Sequence, residues 1–246
     1  MKLTVLGCYG PYPAAGGACS GYLLEEGGCR ILIDCGSGVL SRLQRHLKPW
    51  ELKAVVLSHL HFDHTADLMV MRYALDYARM KGLFHGALPL YSPPEPAAEV
   101  QRLLYKELFE AAAIGAGEPL QIGPFHFTFM EGVHALPCLT MRVETEKGVL
   151  VYSGDTEYFD GLVELAAGAD LFLCEANFQE EDMVHSPANH LSAAQAARMA
   201  ARAGVKKLLL THLHPERRAE VSLEEARQYY AAAEVVREGE SYTVGE

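Results

Sequence analysis

The chain has 246 residues, of which 50% are apolar, and a formal net charge of −11. A chain of this length can bury a core of ordinary size, and we expect one domain over residues 1–246. The acidic balance disfavours a large nucleic acid as a partner. The start MKLTVLGCYG lacks the pattern of a leader peptide, and no run approaches the roughly 18 apolar residues of a membrane span, so we expect a cytoplasmic protein without a membrane partner.

Short apolar or β-branched runs predict strands, which are in chain order KLTVLG, SGYLLEE, CRILIDCG, KAVVLSH, FHFTFMEG, LTMRVET, GVLVYSGD, DLFLCEA and KKLLLTH. Helical patterns lie at residues 38–46, 65–80, 96–113, 192–203 and 222–233. Ser192 with Gln195, and Ser222 with Glu225, fit the capping box that begins a helix. The segment 82–124, rich in Pro and Gly, reads as an excursion from the sheet. Together these patterns predict an α+β fold with mixed sheets and helices outside.

Metal-type ligands follow several predicted strands directly. AVVLS is followed by His59, GVLVYSG by Asp155, KKLLLT by His212, and His134 comes just after FHFTFMEG. Alternate side chains of an extended segment face the same way, so His59, His61 and Asp63 can converge, with His64 where the next helix begins. The cluster LSHLHFDH is therefore predicted to be half of a metal site.

The number of candidate donors indicates the kind of site. There are seven, too many for one tetrahedral zinc but suitable for two metals that share a carboxylate: His59, His61, Asp63, His64, His134, Asp155 and His212. Nitrogen and oxygen donors suit Zn²⁺ best, with Mn²⁺ or Fe²⁺ also compatible. Fewer than four protein ligands per ion leaves room for water, which is the catalytic arrangement. The remaining histidines at 46, 85, 126 and 185 are, taken singly, typical of a protein surface.

The order H-x-H-x-D-H, a lone His, SGDT and a late TH resembles the metallo-β-lactamase superfamily. The resemblance implies a four-layer αβ/βα sandwich with the metals at one rim. It also implies a ligand set: His59, His61 and His134 for one metal, Asp63, His64 and His212 for the other, and Asp155 as the bridge. Asp34 in LIDCG matches a family residue that orients a ligand imidazole or a backbone turn, and a plain turn-capping aspartate is the alternative.

Within the superfamily, LCEANF and HLSAAQAARMA resemble the ribonuclease Z branch. The resemblance implies a coupled pair, Glu175 and His190, which act with Asp63 as catalytic residues. Ribonuclease Z carries a long arm that grips tRNA between its third His and the bridging Asp, whereas only about 20 residues separate His134 from Asp155. We therefore expect a short form without the arm, a small-molecule or short-oligonucleotide substrate and, as for many relatives, a homodimer as one expected assembly.

The predicted function is that of a hydrolase dependent on two divalent metals, acting as a phosphodiesterase on a small phosphodiester, a cyclic nucleotide or a short oligonucleotide. A lactonase or thioesterase is the alternative, because activated water also attacks a carbonyl carbon. A non-catalytic metal-binding protein is the other class considered. Two questions stay open: whether His214 contacts substrate or solvent, and whether certain aromatic residues line the cleft or the core, namely Tyr73, Tyr77, Phe84 and Phe109.

Overall fold

The structure is a computed structural model that describes residues 1–184 and 189–245. Its strands are β1 (Lys2–Gly7), β2 (Gly21–Glu26), β3 (Cys29–Ile33), β4 (Ala54–Val56), β5 (Leu88–Ser92), β6 (Phe109–Ala113), β7 (Leu120–Ile122), β8 (Phe125–Glu131), β9 (Leu139–Thr145), β10 (Gly148–Tyr152), β11 (Leu171–Glu175), β12 (Leu208–Thr211), β13 (Ala233–Val235) and β14 (Ser241–Thr243). Its helices are α1 (Val39–Leu43), α2 (Phe62–Thr65), α3 (Leu68–Met80), α4 (Ala97–Leu103), α5 (Asp160–Leu165), α6 (Glu180–Met183), α7 (Ala193–Ala203) and α8 (Ala219–Arg227), with a 3₁₀ turn at Pro49–Glu51.

Within the described ranges, the strands form two mixed sheets of seven strands each. The first sheet has the order β14-β1-β2-β3-β4-β5-β6, and the second has the order β13-β12-β11-β10-β9-β8-β7. Strands β3 to β6 run parallel to one another, as do β10 to β13. Because parallel strands end at the same edge of a sheet, the loops that follow them are gathered at one rim.

The apolar pattern of the strands and helices explains the layering. In β8 the side chains of Phe125, Phe127 and Phe129 are buried while those of His126 and Thr128 are exposed, the alternation of a sheet with one buried face. The three phenylalanines pack into a core between the two sheets. Helices α1, α3 and α4 cover the outer face of the first sheet, and α5, α7 and α8 cover that of the second. The predicted four-layer α+β sandwich is confirmed.

The prediction for residues 82–124 is wrong. This segment is no excursion, because β5 and β6 extend the first sheet and β7 pairs with β8 at the edge of the second. The helix predicted at 96–113 stops at Leu103 as α4, and β6 follows it. Ala111 and Ala112 are strong helix formers, yet parallel pairing with Leu90 and Tyr91 holds them extended, so sheet formation overrides local preference.

Of the two predicted capping boxes at helix starts, one is confirmed and one is wrong. Gln195 N donates to the Ser192 hydroxyl at 3.2 Å and Ser192 N donates to the Gln195 side chain at 2.9 Å, so the first capping box is confirmed. The second is wrong: α8 begins at Ala219, and Ser222 is buried inside it, where its hydroxyl accepts from Gln179 Nε2 at 3.1 Å. The helix predicted over 65–80 is divided between α2 and α3.

Three further findings complete the description of the fold. His185, predicted as an isolated surface histidine, lies outside the described residues. Among the described helices, none combines the length and the apolar character that crossing a bilayer requires. The cysteines carry free thiols, and most of them are buried as small core residues.

Candidate metal centre

The HLHFDH segment joins a strand end to a short helix. The chain leaves β4, passes His59 and is still extended at His61, after which α2 begins at Phe62. Asp63 and His64 therefore lie in the first turn of a helix, so the extended conformation predicted for Asp63 is wrong. The change of conformation divides the motif: His59 and His61 join one ligand cluster, whereas Asp63 and His64 join another.

The first cluster consists of three imidazoles. His59 Nε2 and His134 Nε2 each lie 3.0 Å from His61 Nδ1. Two ligand nitrogens that bind one zinc ion at about 2.0–2.1 Å, with an angle of roughly 90–110° between them, lie about 2.9–3.4 Å apart. The spacing of the three nitrogens therefore fits a single metal ion, and the ion would take ligands from both sheets.

The second cluster combines two carboxylates with two imidazoles. His212 Nε2 lies 3.1 Å from Asp63 Oδ2 and 3.3 Å from Asp155 Oδ2. His64 Nε2 lies 3.3 Å from the same Asp155 oxygen and 3.7 Å from Asp63 Oδ2. The four ligand atoms lie within 4.8 Å of one another, which is close enough for one cation to contact all of them.

Asp155 stands between the two clusters. Its Oδ2 atom, which faces His64 and His212, also lies 3.7 Å from His59 Nε2 in the first cluster. Asp155 Oδ1 and His64 Nε2 are both buried without a hydrogen-bond partner. A buried polar atom left unpaired costs about 1–3 kcal/mol, and a bound cation would satisfy both atoms. The donor set therefore fits two divalent ions that share the Asp155 carboxylate.

The protonation states of the first cluster and of Asp155 suit metal binding. Burial, reinforced by the neighbouring His64, holds the pKa of His59 well below its usual value, and burial likewise lowers the pKa of His61 and His134. Burial alone would raise the pKa of Asp155, but the adjacent His212 and His64 outweigh it and hold that pKa well below the usual range. The first cluster thus presents neutral imidazoles and Asp155 an ionised carboxylate, which are the forms that bind a metal.

Asp34 orients one of these ligands from behind. His64 Nδ1 lies 2.7 Å from Asp34 Oδ2, which also accepts hydrogen bonds from the Ser58 hydroxyl at 2.8 Å and from Tyr152 OH at 2.9 Å. The other oxygen of Asp34 accepts from Ser58 N at 2.8 Å. Since Asp34 occupies the Nδ1 side of His64, the Nε2 atom is directed at the second cluster. These contacts fit the orienting role better than a plain turn cap.

Further contacts hold His134 and His212, which follow β8 and β12. His134 Nδ1 donates to Asn189 O at 2.9 Å. The Asn177 amide donates to Gly10 O at 3.0 Å and to His212 O at 3.1 Å. A Cβ at Gly10 would stand 1.9 Å from His212 Nε2, so the absence of a side chain there lets the chain pass directly over the ligand ring.

Sequence reasoning did not single out Ser58, Tyr152 or Asn177. Ser58 and Asn177 lie within quoted motifs, beside His59 and two residues after Glu175, so their positions were a usable signal. Tyr152 also lies in a quoted run, GVLVYSGD, but nothing there indicates its partner, since Asp34 is far away in the chain and the two meet only when the sheets pack.

Glu175 and His190 lie next to the second cluster. Glu175, the fully buried last residue of β11, lies 3.0 Å from His190 Nδ1 through its Oε1 atom, which also accepts from Thr156 N at 2.8 Å. Burial lowers the pKa of His190, but the Glu175 carboxylate outweighs burial and raises that pKa to about 9. The His190 ring stacks on that of His212, with centroids 5.2 Å apart and planes inclined by 23°.

A cavity of about 260 Å³, the metal cavity, opens over these groups and is lined by Pro11, His61, Phe62, Asp63, Asp155, His190 and His212. His214 packs edge-on against Tyr12 at 5.9 Å and is not among the described residues lining the cavity. None of the four aromatic residues considered as candidates for lining the cleft is among the described residues that line the metal cavity. Phe84 and Phe109 are core residues, whereas Tyr73 and Tyr77 are exposed on α3.

The Beta-lactamase superfamily domain family matches residues 29–213 of the chain. That range covers both ligand clusters and most of both sheets. The chain therefore belongs to the β-lactamase superfamily, and the resemblance that its motifs carry is confirmed. Membership implies that the histidine–aspartate clusters bind divalent metal.

Similar proteins indicate which members of the superfamily the chain resembles. Over 213 residues the chain is 39% identical to the Bacillus subtilis (strain 168) protein named probable metallo-hydrolase YhfI, covering 87% of each protein. It superposes on the crystal structure of YhfI from Bacillus subtilis with a TM-score of 0.94 and 35% identity, covering 98% of both chains. It is 28% identical to ribonuclease Z of Methanopyrus kandleri, covering 97% of this chain and 96% of that one. The hydrolase class and the resemblance to the ribonuclease Z branch are confirmed.

Proposed function

We propose that the chain is a phosphodiesterase that uses two divalent metal ions to cleave small phosphodiesters. The observation that carries the proposal is the Glu175–His190 pair, held at 3.0 Å beside the metal cavity. Cleavage of a phosphodiester expels an alkoxide, which needs a proton or a stabilising contact as it leaves. A protonated imidazole at the wall of the cavity supplies that proton.

The proposed ligands are those that the resemblance to the superfamily implies. His59, His61 and His134 would hold one ion, Asp63, His64 and His212 the other, and Asp155 would bridge them. Zn²⁺ suits this donor set best, and Mn²⁺ or Fe²⁺ are compatible with it. A pair of divalent ions supplies an activated water and neutralises the charge that develops on the phosphoryl oxygens.

The proposed catalytic residues are Asp63, Glu175 and His190. Asp63 lines the metal cavity, so a carboxylate oxygen can accept a hydrogen bond from the attacking water. Glu175 binds the Nδ1 side of the His190 ring and leaves Nε2 as the atom from which a proton can pass to the substrate. With a pKa of about 9, His190 is protonated at neutral pH and can act as the general acid.

The shape of the chain supports a small substrate. The residues between His134 and Asp155 form β9, a turn and β10, which are part of the second sheet and leave no projecting arm in the described chain. The net charge of −11 opposes the approach of a long phosphate backbone. We therefore propose a cyclic nucleotide, a short oligonucleotide or another small phosphodiester as the substrate.

We also propose that the chain acts as one domain and associates as a homodimer. The core between the sheets includes residues from Met1 to Val244, so both halves of the chain contribute to it. One face of α3 carries an exposed apolar stripe, which we define as Val70, Tyr73, Tyr77 and Met80, exposed by 54%, 54%, 55% and 76%. The spacing of these residues is that of a helix seam that packs on another helix, and a second copy would supply one.

Metal analysis combined with a substrate panel tests the proposed function. We expect purified protein to contain two divalent ions per chain and to hydrolyse bis(p-nitrophenyl) phosphate, with no comparable activity on a panel of lactones and thioesters. Activity on lactones or thioesters alone would show acyl hydrolysis instead. Metal binding without turnover of any substrate would show a metal-binding protein.

A further inference from the structure

A second space lies beside the metal cavity. It is a groove of about 270 Å³ between α2, the start of α3 and α4, and we call it the apolar groove. Its apolar walls include Leu60, Phe62, Met69 and Leu103. Leu60 and Leu103 are almost fully buried, so the floor of the groove is a fixed part of the core.

Phe62 connects the two spaces, because its ring lines both the metal cavity and the apolar groove. The side chain is 61% exposed although it sits between two metal-type ligands in the sequence. An aromatic ring left in water forgoes the stabilisation of burial, and this ring adjoins the apolar walls of the groove, so it belongs to a contiguous apolar surface of the kind found at binding sites. The ring therefore presents a face on which a flat group can stack.

The sizes of the two spaces point to one ligand that occupies both. The metal cavity has about 260 Å³ and the apolar groove about 270 Å³. Sites for small molecules and cofactors usually span about 300–1,000 Å³, so each space alone is below that range and the two joined fall within it. A substrate with its phosphodiester in the metal cavity would thus extend past Phe62 into the groove.

Two charged side chains of α4 line the groove beside its apolar walls. Glu99 and Arg102 form an ion pair at 3.3 Å, with side chains 24% and 62% exposed. The carboxylate accepts hydrogen bonds and the guanidinium donates them, which matches the mixed donors and acceptors at the edge of a heteroaromatic base. A saturated acyl chain in the same place would only remove water from both charges.

We propose that the apolar groove binds the base of a nucleoside phosphodiester substrate. Phe62 stacks on the face of the base, and the Glu99–Arg102 pair contacts its polar edge. The metal cavity then holds the phosphodiester next to His190. This assignment rests on the proposed phosphodiesterase function and adds the substrate class to it.

Two substrates with the same leaving group isolate the contribution of the groove. Thymidine 5′-(p-nitrophenyl) phosphate carries a nucleoside, whereas methyl p-nitrophenyl phosphate carries only a methyl group. We expect wild type to have a higher kcat/KM for the thymidine ester. We expect Phe62→Ala to lower the ratio of the two kcat/KM values at least about fivefold, the size of effect that follows from losing one base–aromatic stack. Arg102→Ala should lower the ratio in the same direction.

Leu83→Ala is the matched control, because it truncates a side chain 58% exposed that lines neither space. The ratio should be the same in this variant as in wild type. If wild type cleaves both esters without preference, or if the ratio in Phe62→Ala falls less than about fivefold below wild type, the base-binding assignment is overturned and the phosphodiesterase proposal stands. If neither ester is cleaved and long-chain lactones are cleaved in a Phe62-dependent manner, both proposals fail and the groove binds an acyl chain. Inertness of every substrate also overturns both.

Discussion

His190 Nδ1 lies 3.0 Å from Glu175 Oε1, and the ring it belongs to stacks 5.2 Å from the ring of His212. A carboxylate that is fully buried thus holds a cationic imidazole against a ligand of the second cluster. The pair is built from the end of β11 and the third residue before α7, and it is independent of the proposed ligand set because neither member belongs to it. This independence makes the pair testable apart from metal binding.

Removal of His190 should affect the reaction according to the leaving group. For 2′,3′-cyclic AMP, whose leaving group is an alkoxide, we expect His190→Ala to lower kcat about 10²–10⁴-fold, the usual contribution of a general acid. For a p-nitrophenyl ester the loss should be much smaller, because that leaving group departs without a proton. Steady-state kinetics on both substrates, with metal content measured in parallel, give the comparison.

Glu175→Gln should also lower kcat more for 2′,3′-cyclic AMP than for a p-nitrophenyl ester, although less than His190→Ala does. The reason is that it removes the charge that raises the pKa of His190. His214→Ala is the control: it removes a nearby histidine that packs against Tyr12 outside the metal cavity. Equal losses on both kinds of substrate in His190→Ala would contradict the role of proton donor.

Loss of the shared carboxylate should release metal. We expect Asp155→Ala to hold at most one divalent ion per chain after gel filtration and to lose nearly all activity, because Asp155 Oδ2 faces both clusters. Elemental analysis by mass spectrometry measures the metal content. Asp160→Asn, at an exposed aspartate nearby in the chain, should retain both ions. Retention of both ions in Asp155→Ala would show that the carboxylate is no bridge.

Asp34→Ala should reduce both stability and metal affinity. It leaves His64 Nδ1, the Ser58 hydroxyl and Tyr152 OH without their acceptor in a buried site. Each unsatisfied group costs about 1–3 kcal/mol, so we expect the free energy of unfolding in urea and EDTA to fall by about 3 kcal/mol or more. Loss of the contact that orients a ligand His should weaken metal binding about 10–100-fold in a competition titration.

Tyr152→Phe gives the graded comparison with Asp34→Ala, since it removes only one of these hydrogen bonds. Its stability should fall by about 1–2 kcal/mol, with a smaller change in metal affinity. An Asp34→Ala protein that binds metal as tightly as wild type would leave Asp34 with a purely structural role.

Charge introduced on the apolar stripe should separate the proposed dimer. We expect wild type to have the mass of a dimer in light scattering at micromolar concentration, and Tyr73→Glu with Tyr77→Glu to have that of a monomer. The reason is that a like charge facing its own copy in an apolar contact is both desolvated and repelled. Tyr229→Glu, at an exposed tyrosine outside α3, should leave the mass unchanged. A monomeric wild type would contradict the assembly.

Sequence analysis succeeded where local pattern and ligand spacing carry the information. The runs that end at His59, Asp155 and His212 form strands close to their predicted bounds, and the structure brings the side chains that follow them together. It failed where partners from distant parts of the chain decide the conformation. Ala111 and Ala112 are extended because they pair with β5. Ser222 does not cap a helix, and its hydroxyl accepts a hydrogen bond from Gln179, which lies at the start of α6.

The candidate site shows the same division. Its donors could be read from residue type and spacing, whereas the contacts that orient them could not. The Asp34–Tyr152 hydrogen bond joins residues on different sheets, and the groove beside Phe62 depends on the placement of α4. Periodicity and motif spacing contain no information about distances of this kind.

The first cluster takes His59 and His61 from the first sheet and His134 from the second. An ion bound there would cross-link the two sheets at one rim. Separating the sheets would then require breaking coordinate bonds as well as exposing apolar faces. Chelation should therefore loosen that rim first and leave the opposite end of the strands, where β10 begins at Gly148, close to its original protection from hydrogen exchange. The same ions would thus stabilise the fold as well as serve catalysis, and the metal-free enzyme would lose rigidity at the place where substrate enters.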